Sequence, residues 1–217
     1  MNSKYKVIKF KKDKFENIDD FISIEEPLEI SLKYKDQNKW VTDSLSITMR
    51  TPGHDEDLVR GFLFNEQIIQ NLNEIKEIES IGKKVGQYDI QNKILITLNN
   101  SKNINISKIK RDFLTNSSCG VCGKSSLDAL EIIKKEKVSN SNPKLSKETV
   151  IKSPSILRDN QSEFSKTGGI HASGLFSSDG KLISLREDVG RHNALDKMIG
   201  NALYKNQINP QNQFITC

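Results

Sequence analysis

The chain has 217 residues, of which 33 are basic and 28 acidic, giving a formal net charge of +5. This length can form one large domain or two small ones without disulfide bonds, and no apolar run reaches the roughly eighteen residues of a membrane-spanning helix. Three cysteines and no signal-peptide pattern predict a cytoplasmic protein, while scattered lysines and few aromatic residues argue against a nucleic-acid or membrane partner.

The first part of the chain has the alternating pattern of β-strands around one helix. Apolar residues at every second position predict strands at residues 28–34 and 45–49. The polar run Asp36–Asn38 predicts a turn that pairs these strands antiparallel. Thr51-Pro52-Gly53 interrupts the pattern, and acidic residues followed by an apolar face predict a helix over residues 55–63.

The middle of the chain contains the predicted domain boundary. Two further strands are predicted at about residues 75–80 and 93–98, and the polar run Asn99–Asn105 follows them. We therefore expect an α/β (α+β) protein with a β-rich N-terminal domain at 1–105 and a second domain at 106–217.

Cys119 and Cys122 are the main candidate nucleophiles of the sequence. Glycines at positions 120 and 123 let the backbone bend, so the two thiols can reach one another, one metal ion or one sulfur atom. Ser125 and Asp128 form a start signal for a helix whose N-terminus, with Lys124, would favour thiolate over thiol. Inert burial and a half-formed zinc site stay open as alternatives.

The last third of the chain contains a predicted hairpin and helix. An apolar strand over residues 172–177 is followed by the turn Ser178–Gly180 and a second strand over residues 182–185. Asn193 is in position to cap a helix with an apolar face that extends to Leu203.

The turn between this strand and this helix predicts an anion site. Arg186, Asp188, Arg191 and His192 crowd a glycine-containing turn before a helix N-terminus, where backbone N–H groups and arginines converge. The alternative is an ion-paired turn that contributes little energy. His171, which follows two glycines, is equally compatible with a structural turn histidine.

Three segments resemble the FdhD family of sulfur carriers, accessory proteins of formate dehydrogenase. They are Ser118–Lys124, Thr167–Ala172 and Arg186–Lys197, and the resemblance extends from the early strand pair through Thr51-Pro52-Gly53 to the end of the chain. It implies a mixed sheet, a C-terminal domain similar to cytidine deaminases and a homodimer.

The resemblance also implies a function. Members accept persulfide sulfur from a cysteine desulfurase and pass it to the molybdenum or tungsten bis-guanine-dinucleotide cofactor, which formate dehydrogenase then uses. Cys119 matches the persulfide cysteine and Cys122 its partner. Seven further residues are expected to bind this cofactor, the protein's substrate, through its guanosine diphosphate portion: Gly168, Gly169, His171, Arg186, Asp188, Arg191 and His192. No tightly bound metal of the protein's own is expected.

Three other functions are alternatives to this interpretation. A zinc deaminase needs His-x-Glu before its cysteine pair, whereas here the pair precedes His171 and Ser173 replaces the glutamate. A thioredoxin-like oxidoreductase would place its pair after the first strand of a βαβ unit. A structural zinc module needs four ligands. The sequence offers at most Cys119, Cys122 and His171, so a fourth ligand would have to come from elsewhere.

A last strand is predicted to begin at Phe214 and Ile215 and to end at Cys217. Such a strand forms few ladder hydrogen bonds. Because family members continue beyond this point, the resemblance implies an incomplete cofactor pocket, low stability and weak binding of the guanine nucleotide.

Overall fold

The computed structural model describes residues 1–11, 13–85, 88–99 and 145–217. These residues form an α+β fold that includes a mixed sheet, as the sequence predicts. The chain divides into two compact units, each built from more than one stretch of sequence. The predicted domain boundary after residue 105 lies outside the described residues.

The described elements are β1 (Asn2–Lys11), β2 (Lys14–Ser23), β3 (Glu26–Asp36), β4 (Lys39–Arg50), α1 (Asp55–Asn65), β5 (Ile75–Val85), β6 (Ile90–Leu98), α2 (Lys147–Asp159), α3 (Ser162–Thr167), β7 (His171–Ser177), β8 (Leu182–Asp188), α4 (Arg191–Tyr204) and β9 (Gln213–Thr216), with a 3₁₀ turn at Leu72–Glu74. None of the described helices is long and apolar enough to cross a membrane.

One unit contains Pro27–Thr48 and the described residues of Gln70–Ser141. Its sheet has the order β4-β3-β6-β5, in which β3 and β6 are parallel and β5 and β6 antiparallel. The turn between β3 and β4 has positive φ at both Gln37 and Asn38, the conformation that tight hairpins require. The apolar residues at alternate positions of β3 and β6 are buried because one face of each strand contributes to the core, and Ser31 and Thr97 on the other face are buried as well.

The other unit contains Met1–Glu26, Met49–Ile69 and the described residues of Asn142–Cys217. Its three-stranded sheet has the order β8-β7-β9, and β1 and β2 form a separate hairpin. Leu175 of β7 packs with Met198 and Ala202 of α4, whereas Phe176 packs with Leu157 of α2. Because successive residues of β7 point to opposite faces, the sheet lies between these two helices.

Helices α1 and α4 cross at very short range. A Cβ atom on Gly61 would lie 1.9 Å from the backbone oxygen of Asp196, and one on Gly200 would lie 1.9 Å from that of Asp57. No side chain fits at either position. Glycine is therefore required for this helix pair to pack.

The structure corrects the predicted start of α4. The helix begins at Arg191, and its N-cap is Gly190, which provides no side-chain cap. Asn193 lies inside the first turn, and its side-chain amide donates to the backbone oxygen of Met49 instead. The predicted hairpin of β7 and β8 is confirmed, and so is the short final strand, which pairs with β7 at four positions.

Candidate functional site

The predicted sulfur loop lies outside the described residues. Cys119, Cys122 and the predicted helix that begins near Ser125 all fall in the range 100–144. The other seven predicted site residues are described.

Asp188 is the buried centre of the turn between β8 and α4. Its Oδ2 accepts from Lys197 Nζ at 2.6 Å and from the backbone N–H of Thr51 at 3.1 Å. Its Oδ1 accepts from the backbone N–H of Gly190 at 2.8 Å and from the amide of Asn193 at 3.2 Å. Both carboxylate oxygens are thus occupied by groups of the protein, and Asp188 fixes the shape of the turn.

Lys197 connects this turn to the loop before α1. Its side chain is 1% exposed, and its ammonium group donates to the backbone oxygen of Thr51 at 2.7 Å as well as to Asp188. The Thr51 hydroxyl in turn accepts from the backbone N–H of Val189 at 3.1 Å. Three hydrogen bonds to Thr51 therefore hold two distant segments of sequence together.

Arg186 forms a second ion pair in the region, which is partly buried. Its Nε and one terminal nitrogen donate to Asp57 Oδ2 at 2.9 and 2.8 Å, and its other terminal nitrogen donates to the backbone oxygen of Leu185 at 2.9 Å. Asn201 of α4 donates to the same Asp57 oxygen at 3.3 Å. The ion pairing that the sequence left open is present at Arg186 and Asp188, and a binding role for these two residues stays a prediction.

Arg191 and His192 are placed differently, because neither is buried at the start of α4. No side chain caps this helix N-terminus, and its first turn contains no acidic residue. Uncapped N–H groups and the helix dipole favour an anion, and the arginine adds a full positive charge. Of the predicted binding residues, Arg191 and His192 are the two that lie exposed at this helix N-terminus.

Gly168 and Gly169 lie in the loop that connects α3 to β7, and His171 is the first residue of β7. Gly168 ends α3 with φ of 67°, a conformation in which a side chain is strained. Glu187 of β8 accepts from the backbone N–H groups of Glu163 and Phe164 at 3.0 and 2.8 Å. This carboxylate occupies the N-terminus of α3 and ties the helix to the strand that carries the turn.

The register of β7 and β8 brings the loop and the turn to the same end of the sheet. His171 pairs with Asp188, and Ser173 pairs with Arg186. His171 is exposed at this end. The structure therefore gathers the described candidate residues at one edge, with Asp188 and Arg186 in internal contacts and Arg191, His192 and His171 facing solvent.

His54, which the sequence pattern did not single out, belongs to the same region. It is the N-cap of α1, with φ of 57° in the left-handed region, and three acidic residues follow it. Its Nδ1 lies 3.8 Å from Asp57 Oδ2. Burial lowers the pKa of His54 below its ordinary value, and the positive charge of Arg186 lowers it further. Sequence reasoning missed this residue because its cationic neighbours come from remote segments.

The described residues contain no group of three or more histidine, cysteine, aspartate or glutamate side chains that could hold a metal ion. Asp57 and Asp188 are instead paired with Arg186 and Lys197. The solvent-facing groups of this edge are therefore cationic side chains and backbone N–H groups.

Comparison with known proteins relates this arrangement to a family. Residues 23–217 match the model of the FdhD/NarQ family, a range that contains Cys119, Cys122 and every other candidate residue. The chain belongs to the FdhD/NarQ family. The two similar proteins described next both carry the name "Sulfur carrier protein FdhD".

The relative from Sulfolobus acidocaldarius is 40% identical over 205 residues, which cover 94% of this chain and 71% of the relative. The relative from Sulfurisphaera tokodaii is 37% identical over 207 residues, covering 95% and 72%. A crystal structure assigned to a formate dehydrogenase accessory protein of Desulfotalea psychrophila matches with a TM-score of 0.65 and 21% identity, covering 99% of this chain and 73% of that one. This last match shows a shared fold.

Proposed function

We propose that this chain is a sulfur carrier that accepts persulfide sulfur from a cysteine desulfurase and transfers it to the molybdenum or tungsten bis-guanine-dinucleotide cofactor for formate dehydrogenase. The observation that carries the proposal is the FdhD/NarQ match over residues 23–217, which includes the Cys-x-x-Cys pair. Relatives with at least 37% identity are named sulfur carriers. The homodimer and the cytoplasmic location that the sequence predicts belong to the same proposal.

Loading begins with Cys119 as a thiolate. It attacks the terminal sulfur of the donor's cysteine persulfide, the donor S–S bond breaks, and the donor cysteine leaves as a thiolate. The product is a persulfide on Cys119, and no external oxidant or reductant is consumed. Lys124, two positions after Cys122, favours the thiolate form that this step needs.

Cys122 completes the transfer. Its thiolate attacks the Cys119 sulfur, which releases the terminal sulfur as hydrosulfide and leaves a Cys119–Cys122 disulfide. The two thiols are oxidised while the released sulfur gains two electrons, so the reaction balances. A dithiol reductant restores the pair before the next cycle.

The edge that carries Arg191, His192 and His171 supports a binding role for the diphosphate of the cofactor. Arg191 and the uncapped N-terminus of α4 would contact phosphate oxygens. Gly168 and Gly169 keep the opposite loop free of side chains and allow a close approach of the ligand. Asp188 and Lys197 would act indirectly by holding the turn in shape.

Intact-mass spectrometry tests the proposal. The reduced chain is incubated with a cysteine desulfurase and cysteine, and loading is expected to add about 32 Da, one sulfur atom. Cys119→Ala should abolish the adduct, Cys122→Ala should retain it but fail to release hydrosulfide, and Cys217→Ala is the matched control with normal loading. An adduct that persists in Cys119→Ala would refute the assignment of the carrier cysteine. A zinc ion bound to the reduced chain and lost in both loop variants would instead support the structural zinc module.

A further inference from the structure

The hairpin of β1 and β2 is not explained by the family match. The FdhD/NarQ model begins at residue 23, whereas the hairpin occupies Asn2–Ser23. Its open end contacts α3, because the N-terminal amine lies 3.3 Å from a carboxylate oxygen of Glu163 and the Ser23 hydroxyl donates to that of Thr167 at 3.0 Å. Around the turn, every described residue in the range 8–17 is exposed. The closed end of the hairpin therefore extends into solvent.

One face of this closed end is apolar. Directly paired residues of an antiparallel hairpin share a face, so Phe10 and Phe15 lie together, and their ring centroids are 5.0 Å apart. Ile8 lies on the same face, because side chains two positions apart in a strand point the same way. The exposures are 71% for Ile8, 60% for Phe10 and 77% for Phe15. These three residues, the distal face, are large apolar side chains in water, which is typical of an interaction surface.

Lysines surround the distal face. Lys9, Lys11 and Lys14 are exposed on the opposite face of the same closed end, and residues 9–16 together have a formal charge of +2. A lysine stem is long enough to bring its ammonium group to the edge of a two-stranded ribbon. An anionic plane against the distal face would therefore lie within about 10 Å of these charges, the Debye length at about 0.1 M salt. The sequence argued against a membrane partner, but it did not reveal that the two phenylalanines among these lysines stay in water.

We propose that the distal face of the hairpin binds the surface of an anionic phospholipid bilayer. Exposed aromatic side chains beside lysines are typical of segments that lie between the headgroups and the acyl chains. Ile8, Phe10 and Phe15 enter this interface, and the lysines stay at the level of the lipid phosphates. Nearer the open end, Lys4 and Asp19 neutralise one another in an ion pair of 2.8 Å. The attraction is therefore strongest at the closed end.

The small size of the hairpin favours a bilayer over a protein partner. Ten residues of strand span about 33 Å and two strands are about 10 Å wide, so the whole face covers about 330 Å². A standard protein interface buries about 800 Å² per partner, whereas a bilayer requires neither a minimum area nor a matching shape. Because the distal face inserts only three apolar side chains, we expect weak and reversible binding, with a partition constant on the order of 10³ M⁻¹, below that of a single myristoyl chain.

Co-sedimentation of the full chain with lipid vesicles tests the proposal. Phosphatidylcholine vesicles with about 30% phosphatidylserine should bind the chain at about 5 mM lipid, and pure phosphatidylcholine vesicles should bind it about fivefold or more weakly. Phe10→Ser/Phe15→Ser should lower the partition constant about tenfold or more. The matched control Tyr5→Ser/Ile22→Ser replaces two exposed apolar side chains of the opposite face and should bind normally. A chain that binds neither kind of vesicle, or equal binding by the two double variants, overturns the proposal.

Charge reversal separates insertion at the hairpin from adsorption by net charge. Lys11→Glu/Lys14→Glu should weaken binding to phosphatidylserine vesicles about tenfold or more, and the weak binding to pure phosphatidylcholine should not change. Lys152→Glu/Lys205→Glu changes the net charge equally at exposed positions outside the hairpin and should alter binding less than about twofold. Equal weakening by the two pairs would show adsorption by net charge alone and would overturn the proposal.

A fluorescent reporter tests whether the aromatic rings enter the bilayer. Trp40 is the only tryptophan, so Trp40→Phe/Phe10→Trp places a single reporter on the distal face. Its emission should shift to shorter wavelength with phosphatidylserine vesicles, whereas the emission of the control Trp40→Phe/Tyr5→Trp should not. An unshifted reporter at position 10 would overturn the proposal. Sulfur loading of Cys119, measured with and without vesicles, should be unchanged, so this test is independent of the proposed transfer function.

Discussion

Replacement of Lys197 by methionine tests whether the buried ion pair organises the turn. Methionine retains much of the length and apolar surface of the lysine stem but removes the ammonium group. Asp188, which is 0% exposed, then loses the partner at 2.6 Å, and the backbone oxygen of Thr51 loses a donor at 2.7 Å. The change therefore leaves a charged group and a carbonyl group buried without a full set of partners.

The expected loss of stability is large. Breaking a buried ion pair by removing one partner costs about 3–5 kcal/mol, because the remaining charge is not compensated. For a chain of this size, that loss lowers Tm by about 10 °C. The total free energy of unfolding of a domain is about 5–15 kcal/mol, so the substitution would remove a substantial fraction of it.

Urea unfolding followed by circular dichroism measures the effect. Lys205→Met is the control, since this exposed lysine just follows α4 and its replacement should change stability by less than about 0.5 kcal/mol. The double variant Lys197→Met/Asp188→Asn should be more stable than the sum of the single changes implies, because the uncompensated charge is gone. A loss below about 1 kcal/mol for Lys197→Met, or strict additivity in the double variant, would show that this reasoning is wrong.

Three further predictions concern packing, pH and binding. Gly200→Ala should cost about 3 kcal/mol or more in urea unfolding, because its Cβ would lie 1.9 Å from a backbone oxygen of α1. Gly169→Ala should be neutral, because its Cβ would make only an ordinary contact of 3.9 Å with the backbone oxygen of Thr167. Burial raises the pKa of Asp196 to about 7, so the folded state holds a proton that the unfolded state loses near pH 4. The free energy of unfolding should therefore fall as pH rises from about 4 to 7. If its slope against pH were unchanged in Asp196→Asn, this prediction would be contradicted. Arg191→Ala should weaken GDP binding at least tenfold in calorimetry, with an affinity that falls as salt rises, and wild-type affinity in the variant would remove this arginine from the proposed phosphate site.

Local sequence patterns determined much of the backbone. The strands β3 and β4 and the hairpin of β7 and β8 follow from alternation with period two and from polar turn residues. The same reasoning missed β1 and β2, because charged residues lie on both faces of that hairpin and obscure the alternation. It also missed α2, in which Pro154 and several serines weaken the helical pattern.

The candidate site shows where local reasoning ends. The sequence identified Arg186, Asp188 and Arg191 as charged residues in one turn, and their types and spacing alone made an anion site a reasonable prediction. It provided no means of telling which charges are buried. The partners are remote, since Asp57 lies 129 positions from Arg186 and Thr51 lies 137 positions from Asp188.

The packing of the tertiary structure determined which of these residues are buried and which are exposed. Two glycines let α1 and α4 approach closely, and this contact carries Asp57 to Arg186 and the loop at Thr51 to Lys197. A charge taken out of water must acquire a partner from whichever segment is packed against it. The sequence therefore determined which groups were available for binding. The crossing of the helices decided that Asp188 is buried and that Arg186 is partly buried against Asp57, whereas Arg191 is exposed.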